Sequence, residues 1–196
     1  MRVICALASL ACAFAGRSAE SEVLARYDFA AAVIQQWKLP NRLNEISGLA
    51  LTPDDRLFAI EDETAVIYEI DNDEGRLIKA FAFGNPVLRG DFEGIAWVDG
   101  MLYVTDSRGV LLIGAERADG ERVVPSRVDT GLGRECEIEG LADDPENAVL
   151  LFVCKDLVRA SSLRAPVIFE WSIAERRVNR SIELPLREIR EAIRID

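Results

Sequence analysis

Three copies of one short phrase decide the fold of this chain: Glu45-Ile-Ser-Gly-Leu-Ala50, Asp91-Phe-Glu-Gly-Ile-Ala96 and Glu137-Ile-Glu-Gly-Leu-Ala142. Their central glycines are spaced 46 residues apart. A repeat of roughly 40 to 50 residues that holds several short strands is typical of β-propeller blades. A two-sheet sandwich of unrelated hairpins is the alternative all-β architecture, but it does not predict equal spacing.

Each phrase is followed by further β-rich runs at nearly fixed distances, with Pro, Gly, Asp and Asn at the reversals between them. The sequence therefore predicts an all-β fold of four-stranded antiparallel blades, about 46 residues each, at 45–90, 91–136 and 137–184, preceded by an N-terminal strand at about 31–40. The repeated glycines are expected where inner strands crowd and a side chain would not fit. The predicted second strands are 56–60, 101–105 and 149–153; the third are 66–70, 110–113 and 167–171; the fourth are 77–81, 123–124 with 127–128, and 178–182.

The repeated phrases, together with Trp37-Lys-Leu-Pro40, resemble the SdiA-regulated propeller family of bacterial envelope proteins, which is itself similar to the phytase-like propellers. The resemblance covers about 37–185 and implies the fold, but that family has no established reaction. It implies about six blades, which need roughly 276 residues. Because 196 residues hold about three to four blades, we expect an incomplete propeller and a truncated family member. A half propeller that self-associates through its open blade edges is the alternative.

The N-terminus predicts export. Arg2 precedes an apolar run over 3–14, and a small-x-small step follows at 13–15. This pattern is typical of a secretory signal, so we expect a signal peptide at 1–19, a propeller domain at 20–196 and a periplasmic or secreted protein. A lipoprotein signal at Cys12 and an uncleaved anchor are the alternatives.

Removal of the signal would leave two cysteines, Cys136 and Cys154. They flank the predicted turn at Asp144-Pro145, which would place them opposite each other in an antiparallel pair. In an oxidising compartment such a pair forms a disulfide. We therefore predict a bond between them.

Composition excludes several functions. The chain carries 34 Asp and Glu against 23 Lys and Arg, a net charge of −11, which argues against binding nucleic acid or an anionic membrane. It has no histidine, so a Ser-His-Asp triad and a His-ligated zinc are excluded.

Acidic residues recur where the inner strands begin and the second strands end. If these ends meet at one channel mouth, the carboxylates form a crescent suited to a hard cation such as calcium. Alternatively they are solvated, or accept hydrogen bonds from loop amides. The candidate metal ligands are Glu45, Asp62, Asp91, Glu93, Asp106, Glu137, Glu139 and Asp156.

Two bases, Arg108 and Lys155, lie in the same segments and could bind an anionic substrate such as a phosphate. Alternatively they neutralise adjacent acids. The sequence favours a binding module for an unknown small-molecule or protein ligand, with calcium as a possible cofactor. A calcium-dependent phosphoester hydrolase of phytase-like type is the alternative function.

Overall fold

The computed structural model describes residues 37–157 and 167–184, apart from the side chains of 156 and 157. Within these residues the strands form three sheets, one for each predicted blade. The predicted signal peptide at 1–19 and residues 31–36 of the expected N-terminal strand lie outside the described residues, and residues 37–40 form no strand. No helix in the described part is long and apolar enough to cross a membrane.

The first blade is an antiparallel meander whose inner strand carries the first repeated phrase. Its hairpin between the first two strands turns at Thr52–Asp55, where the backbone N–H of Asp55 donates to the carbonyl of Thr52 at 3.0 Å. The strands are β1 (Ile46–Leu51), β2 (Leu57–Glu61), β3 (Val66–Ile70) and β4 (Leu77–Phe83).

The second blade follows the same order, but its outer part departs from the prediction. Residues 123–124 were expected in its fourth strand, whereas Arg122–Val123 (β8) pairs in parallel with β4 of the first blade. The edge of β4 offers unpaired backbone groups, and Gly84 N–H donates to the Val123 carbonyl at 2.8 Å; Pro125 then breaks the pairing. The blade's own strands are β5 (Phe92–Val98), β6 (Met101–Asp106), β7 (Val110–Ala115) and β9 (Ser126–Asp129).

The third blade also has four antiparallel strands. Its first two strands, which form the inner hairpin, are the longest in the described part of the chain, with nine residues each. The strands are β10 (Cys136–Asp144), β11 (Val149–Leu157), β12 (Val167–Ser172) and β13 (Arg177–Glu183).

The apolar core lies in layers between blades. One buried cluster joins the first and second blades, with Phe58, Phe81 and Ile95 among its members. Another joins the second and third blades and includes Phe152 and Trp171. Hydrophobic burial therefore holds the blades face to face rather than edge to edge.

The repeated glycines let the inner strands approach each other, as the sequence predicts. A Cβ atom on Gly48 would lie 2.8 Å from the Cα of Gly94, and a Cβ on Gly94 would lie 2.5 Å from the backbone nitrogen of Leu141. Real Cβ atoms do not approach backbone this closely. Only glycine therefore fits at these two positions without a shift of the neighbouring strand.

Bulges change the register of every inner hairpin. Gly94 pairs with Thr105 and Phe92 with Asp106, so Glu93 is left between them without a partner. Simple alternation of side chains along the strand therefore does not hold across Glu93. Cys154 is opposite Ile138 rather than Cys136, yet the disulfide between Cys136 and Cys154 is confirmed, with 5.8 Å between Cα atoms.

Candidate functional site

Backbone hydrogen bonds join the inner ends of successive blades. The N–H of Phe92 at the start of β5 donates to the carbonyl of Asp62 at 2.7 Å, and the N–H of Ile138 in β10 donates to the carbonyl of Ser107 at 2.9 Å. Ser107 N–H also donates to the Asp91 carbonyl at 2.8 Å. The first two bonds bring the end of one blade's second strand to the start of the next blade's inner strand, and the third closes the inner hairpin of the second blade.

Four carboxylates from three blades meet at this end, and we call them the acidic rim: Asp62, Asp91, Glu93 and Glu139. Glu93 is half-buried between the others. The pKa of Glu93 is raised to about 7, first by burial and then by the negative charges of Glu139, Asp91 and Asp62 and a hydrogen bond with Asp91. Both causes disfavour the charged carboxylate. The rim is thus a place where negative charge accumulates.

Asp62 is a second rim residue whose carboxylate lies in an unfavourable environment. Its Oδ1 atom is buried and has no hydrogen-bond partner among the described residues. A buried carboxylate oxygen without a partner is costly. Among residues 37–157 and 167–184, however, no group of three acidic or thiol side chains stands ready to coordinate a metal ion.

The other predicted ligands lie apart from the rim. Asp106 is buried in its own turn, where its Oδ1 accepts from the backbone N–H groups of Arg108 at 3.0 Å and Val110 at 2.8 Å. Glu45 is exposed. Glu137 is also exposed and lies 3.8 Å from the ammonium of Lys155. The side chain of Asp156 in β11 is outside the described residues.

Both predicted anion-binding bases contact acids. Lys155 donates to Glu139 at 2.8 Å, and this hydrogen bond raises the pKa of Lys155. Arg108 approaches Asp106 at 3.4 Å and is largely exposed. These contacts favour the alternative interpretation, in which the bases neutralise adjacent acids.

The sequence did not predict an ion-pair cluster at the outer part of the first and second blades. Arg56 donates to both carboxylate oxygens of Glu116, at 2.7 and 3.0 Å, and Lys79 contacts the same carboxylate. These bonds, the Arg56 bond first, lower the pKa of Glu116. Lys79 also lies 3.2 Å from the buried Glu69.

A cleft of about 300 Å³ lies at the opposite end of the second and third blades. It runs between the hairpin turns at Asp99 and Asp143–Ala148, with Tyr103 and Met101 in its wall. The equal repeat spacing predicts that these two turns are neighbours, but it does not predict a cavity between them.

Comparison with known proteins supports the fold. No family model matches the chain, and no curated protein matches it. Among solved structures the chain is similar to glutaminyl cyclase of Myxococcus xanthus, with 16% identity over 79% of this chain and 60% of that one, and a TM-score of 0.55. Aldose sugar dehydrogenase of Streptomyces coelicolor in its PQQ-bound form gives 20% identity over 72% and 48%, with a TM-score of 0.48.

Hydrazine synthase of Kuenenia stuttgartiensis gives 19% identity over 71% of this chain and 37% of that one, with a TM-score of 0.46. The chain thus spans 37% to 60% of the length of these three structures. At 16% identity the likeness to the glutaminyl cyclase concerns the fold alone, and the three described sheets are those of an incomplete β-propeller.

Proposed function

We propose that this protein is an exported propeller-type binding module whose acidic rim binds a divalent cation, with calcium as the preferred ion. The observation that carries the proposal is the half-buried Glu93, surrounded by Glu139, Asp91 and Asp62. Calcium takes six to eight oxygen ligands in flexible geometry. Side-chain rotation of the rim carboxylates around an ion would supply several of these ligands.

A cation would relieve two costs at the rim. It would offset the repulsion that raises the pKa of Glu93, and it would give the unpaired Oδ1 of Asp62 a partner. The ligands come from different blades: Asp62 follows β2, Glu93 belongs to β5 and Glu139 to β10. A bound ion would therefore link blades, and it would stabilise the folded state according to its occupancy.

The test is calorimetric titration with calcium together with thermal unfolding. We expect heat of binding and a melting temperature that rises with calcium. Glu93→Gln and Glu139→Gln should each reduce the rise, since an amide keeps the shape and removes the charge. Glu146→Gln is the matched control, because Glu146 is exposed in the turn at the far end of β10. No heat and no thermal shift at millimolar calcium would contradict the proposal.

The location and the family belong to the same proposal. A disulfide between Cys136 and Cys154 suits an oxidising compartment, in agreement with a signal at the N-terminus and a periplasmic or secreted protein. The repeated phrases at 45–50, 91–96 and 137–142 support a place in the SdiA-regulated family. Detection of the exported protein without residues 1–19 would test this part.

No specific observation favours the phosphoester hydrolase over the binding module. Such an enzyme needs bases that converge on its substrate, whereas Lys155 is bonded to Glu139 and Arg108 contacts Asp106. Turnover of a phosphoester that a chelator abolishes would support the enzyme. Calcium binding without turnover is the result that the proposed function predicts.

A further inference from the structure

The packing between the second and third blades differs from that between the first and second at two equivalent positions. Opposite the alanine that ends the repeated phrase, the first blade has Phe58 and the second has Tyr103. Trp97 of the second blade packs against the same buried cluster as Phe58, whereas the position 46 residues later is Asp143. Two aromatic hydrocarbon surfaces are thus replaced by a phenol and a carboxylate, and the carboxylate side chain is much smaller than an indole.

Both polar side chains project into the gap between the second and third blades. Tyr103 is opposite Ala96, and both belong to the cluster that joins these blades. Asp143 is opposite Leu150, which belongs to the same cluster. Residues opposite each other in an antiparallel pair share one face of the sheet. Tyr103 and Asp143 therefore reach the gap from its two sides, and both line the cleft of about 300 Å³.

Tyr103 is a buried polar residue that lacks a partner. Its side chain lines the cleft and the residue is only 8% exposed, yet its hydroxyl forms no hydrogen bond with any residue that the structure describes. Burial first and then the negative charge of Asp99 raise the pKa of Tyr103, although Arg176 acts in the opposite direction, so the phenol stays protonated at neutral pH. A buried hydroxyl without a partner is costly, and a ligand in the cleft would supply one.

The carboxylate of Asp143 is also free to bind a ligand. It is half-buried, and it forms no hydrogen bond or ion pair within residues 37–157 and 167–184. The neighbouring Asp144 differs, since its carboxylate accepts from the backbone N–H groups of Glu146 at 3.1 Å and Asn147 at 3.2 Å. Asp99 adds an exposed carboxylate at the turn beside the cleft. The rest of the wall is largely apolar and includes Val98, Met101, Val149 and Ile173.

We propose that this cleft binds a small organic ammonium ion with an apolar body, whose ammonium group donates to the Asp143 carboxylate and the Tyr103 hydroxyl. An ionised carboxylate only accepts hydrogen bonds, so the ligand must be a donor, and the net charge of −11 attracts cations. The apolar wall favours a hydrocarbon body over a metal ion. Few polar groups in an apolar cleft of this volume are typical of small-molecule sites.

The experiment is calorimetric titration of the full chain with ammonium ions of increasing apolar size, in the presence of a calcium chelator. The probes are butylammonium, cyclohexylmethylammonium and phenylethylammonium. We expect saturable one-to-one binding whose affinity increases with the apolar body. Phenylethanol keeps the body without the charge, and phenylpropanoate reverses the charge. Both should bind at least about tenfold more weakly than phenylethylammonium, because they lose the charge-assisted hydrogen bond to Asp143.

Variants of the two polar residues test their roles. Asp143→Asn should weaken binding of phenylethylammonium at least about tenfold, since the amide keeps the shape and removes the charge. Tyr103→Phe removes only the hydroxyl and should weaken it about threefold. Asp143→Trp gives the third blade the residue that the second blade has at position 97, so it should fill the cleft and abolish binding. Asp73→Asn is the matched control with unchanged affinity, because Asp73 is exposed in the turn between β3 and β4.

Three results would overturn the proposal. The first is the absence of saturable binding for every ammonium probe. The second is equal affinity for phenylethanol and phenylethylammonium, since it would mean that the cleft recognises only the apolar body. The third is unchanged affinity in Asp143→Asn or, if that variant fails to fold, in both Tyr103→Phe and Asp143→Trp. The chelator keeps calcium from the acidic rim at the other end of the blades, so the result is separate from the test of the rim.

Discussion

Gly94 and Gly140 occupy the same position in successive repeats, but their surroundings differ. Gly94 is buried with the backbone of the third blade against it, while Gly140 is half-exposed and meets only a side chain of its own sheet. The same position of the repeated phrase is thus covered by a neighbouring blade at Gly94, while at Gly140 it is half-exposed in the described part of the chain. The position of a glycine in the repeat therefore does not by itself determine how tightly that glycine is packed.

The largest expected effect comes from placing the same side chain at both glycines. Gly94→Val should lower the free energy of unfolding by about 3 kcal/mol or more, because its Cβ would lie 2.5 Å from backbone and overpack the interface. Gly140→Val should change it by no more than about 0.5 kcal/mol, as is usual for exposed sites. Urea denaturation of the two variants beside the unmodified chain checks this. Similar losses would mean that the two positions are equivalent after all.

The blades could be predicted from the sequence because each strand is an apolar run and the repeat fixes the spacing. The third strand of the first blade lies at Val66–Ile70, as expected. The outer part of the second blade could not be predicted, since two valines before Pro125 suit either the second blade or the edge of β4. Which edge they pair with depends on contacts between sheets.

The disulfide and the acidic rim could also be predicted only in part from the sequence. The hairpin brings both cysteines to one end, so the bond was predictable, while the bulges that move Cys154 opposite Ile138 were not. Equal spacing indicates that Glu93 and Glu139 belong at equivalent places. Nothing in the spacing relates Arg56 to Glu116, which are 60 residues apart and lie outside the repeated phrase.

A smaller loss of stability is expected when an ion pair between the first two blades is weakened, in contrast to an ion pair on the exposed surface. Glu116 belongs to the segment after β7 and holds Arg56 and Lys79 of the first blade. Glu116→Gln should destabilise the protein by about 1 to 2 kcal/mol, because the charge-assisted bonds from Arg56 and Lys79 lose the ionised acceptor. Chemical denaturation measures this loss in the free energy of unfolding.

The control for this variant is Glu74→Gln. Glu74 pairs with Arg76 at 2.6 Å, but both side chains are about two-thirds exposed. We expect no measurable change, since exposed ion pairs contribute little. If Glu74→Gln destabilises the protein as much as Glu116→Gln, the position of Glu116 between blades has no special importance.

The last prediction concerns the pH dependence of stability, and it follows from where the two rim glutamates lie. Glu139 has Lys155 at 2.8 Å, whereas Glu93 lies among carboxylates and its pKa is raised to about 7 from an ordinary value of 4.5. The folded state then binds this proton more tightly than the unfolded state, so the stabilisation is fully present below the unfolded pKa and is lost as pH rises through the folded pKa. Without calcium, stability should fall between about pH 4.5 and 7, and Glu93→Gln should flatten this fall and raise stability at pH 8. Urea denaturation at several pH values measures how the free energy of unfolding depends on pH. Glu146→Gln is the control that should keep this dependence. If Glu93→Gln keeps it as well, Glu93 is not the titrating group.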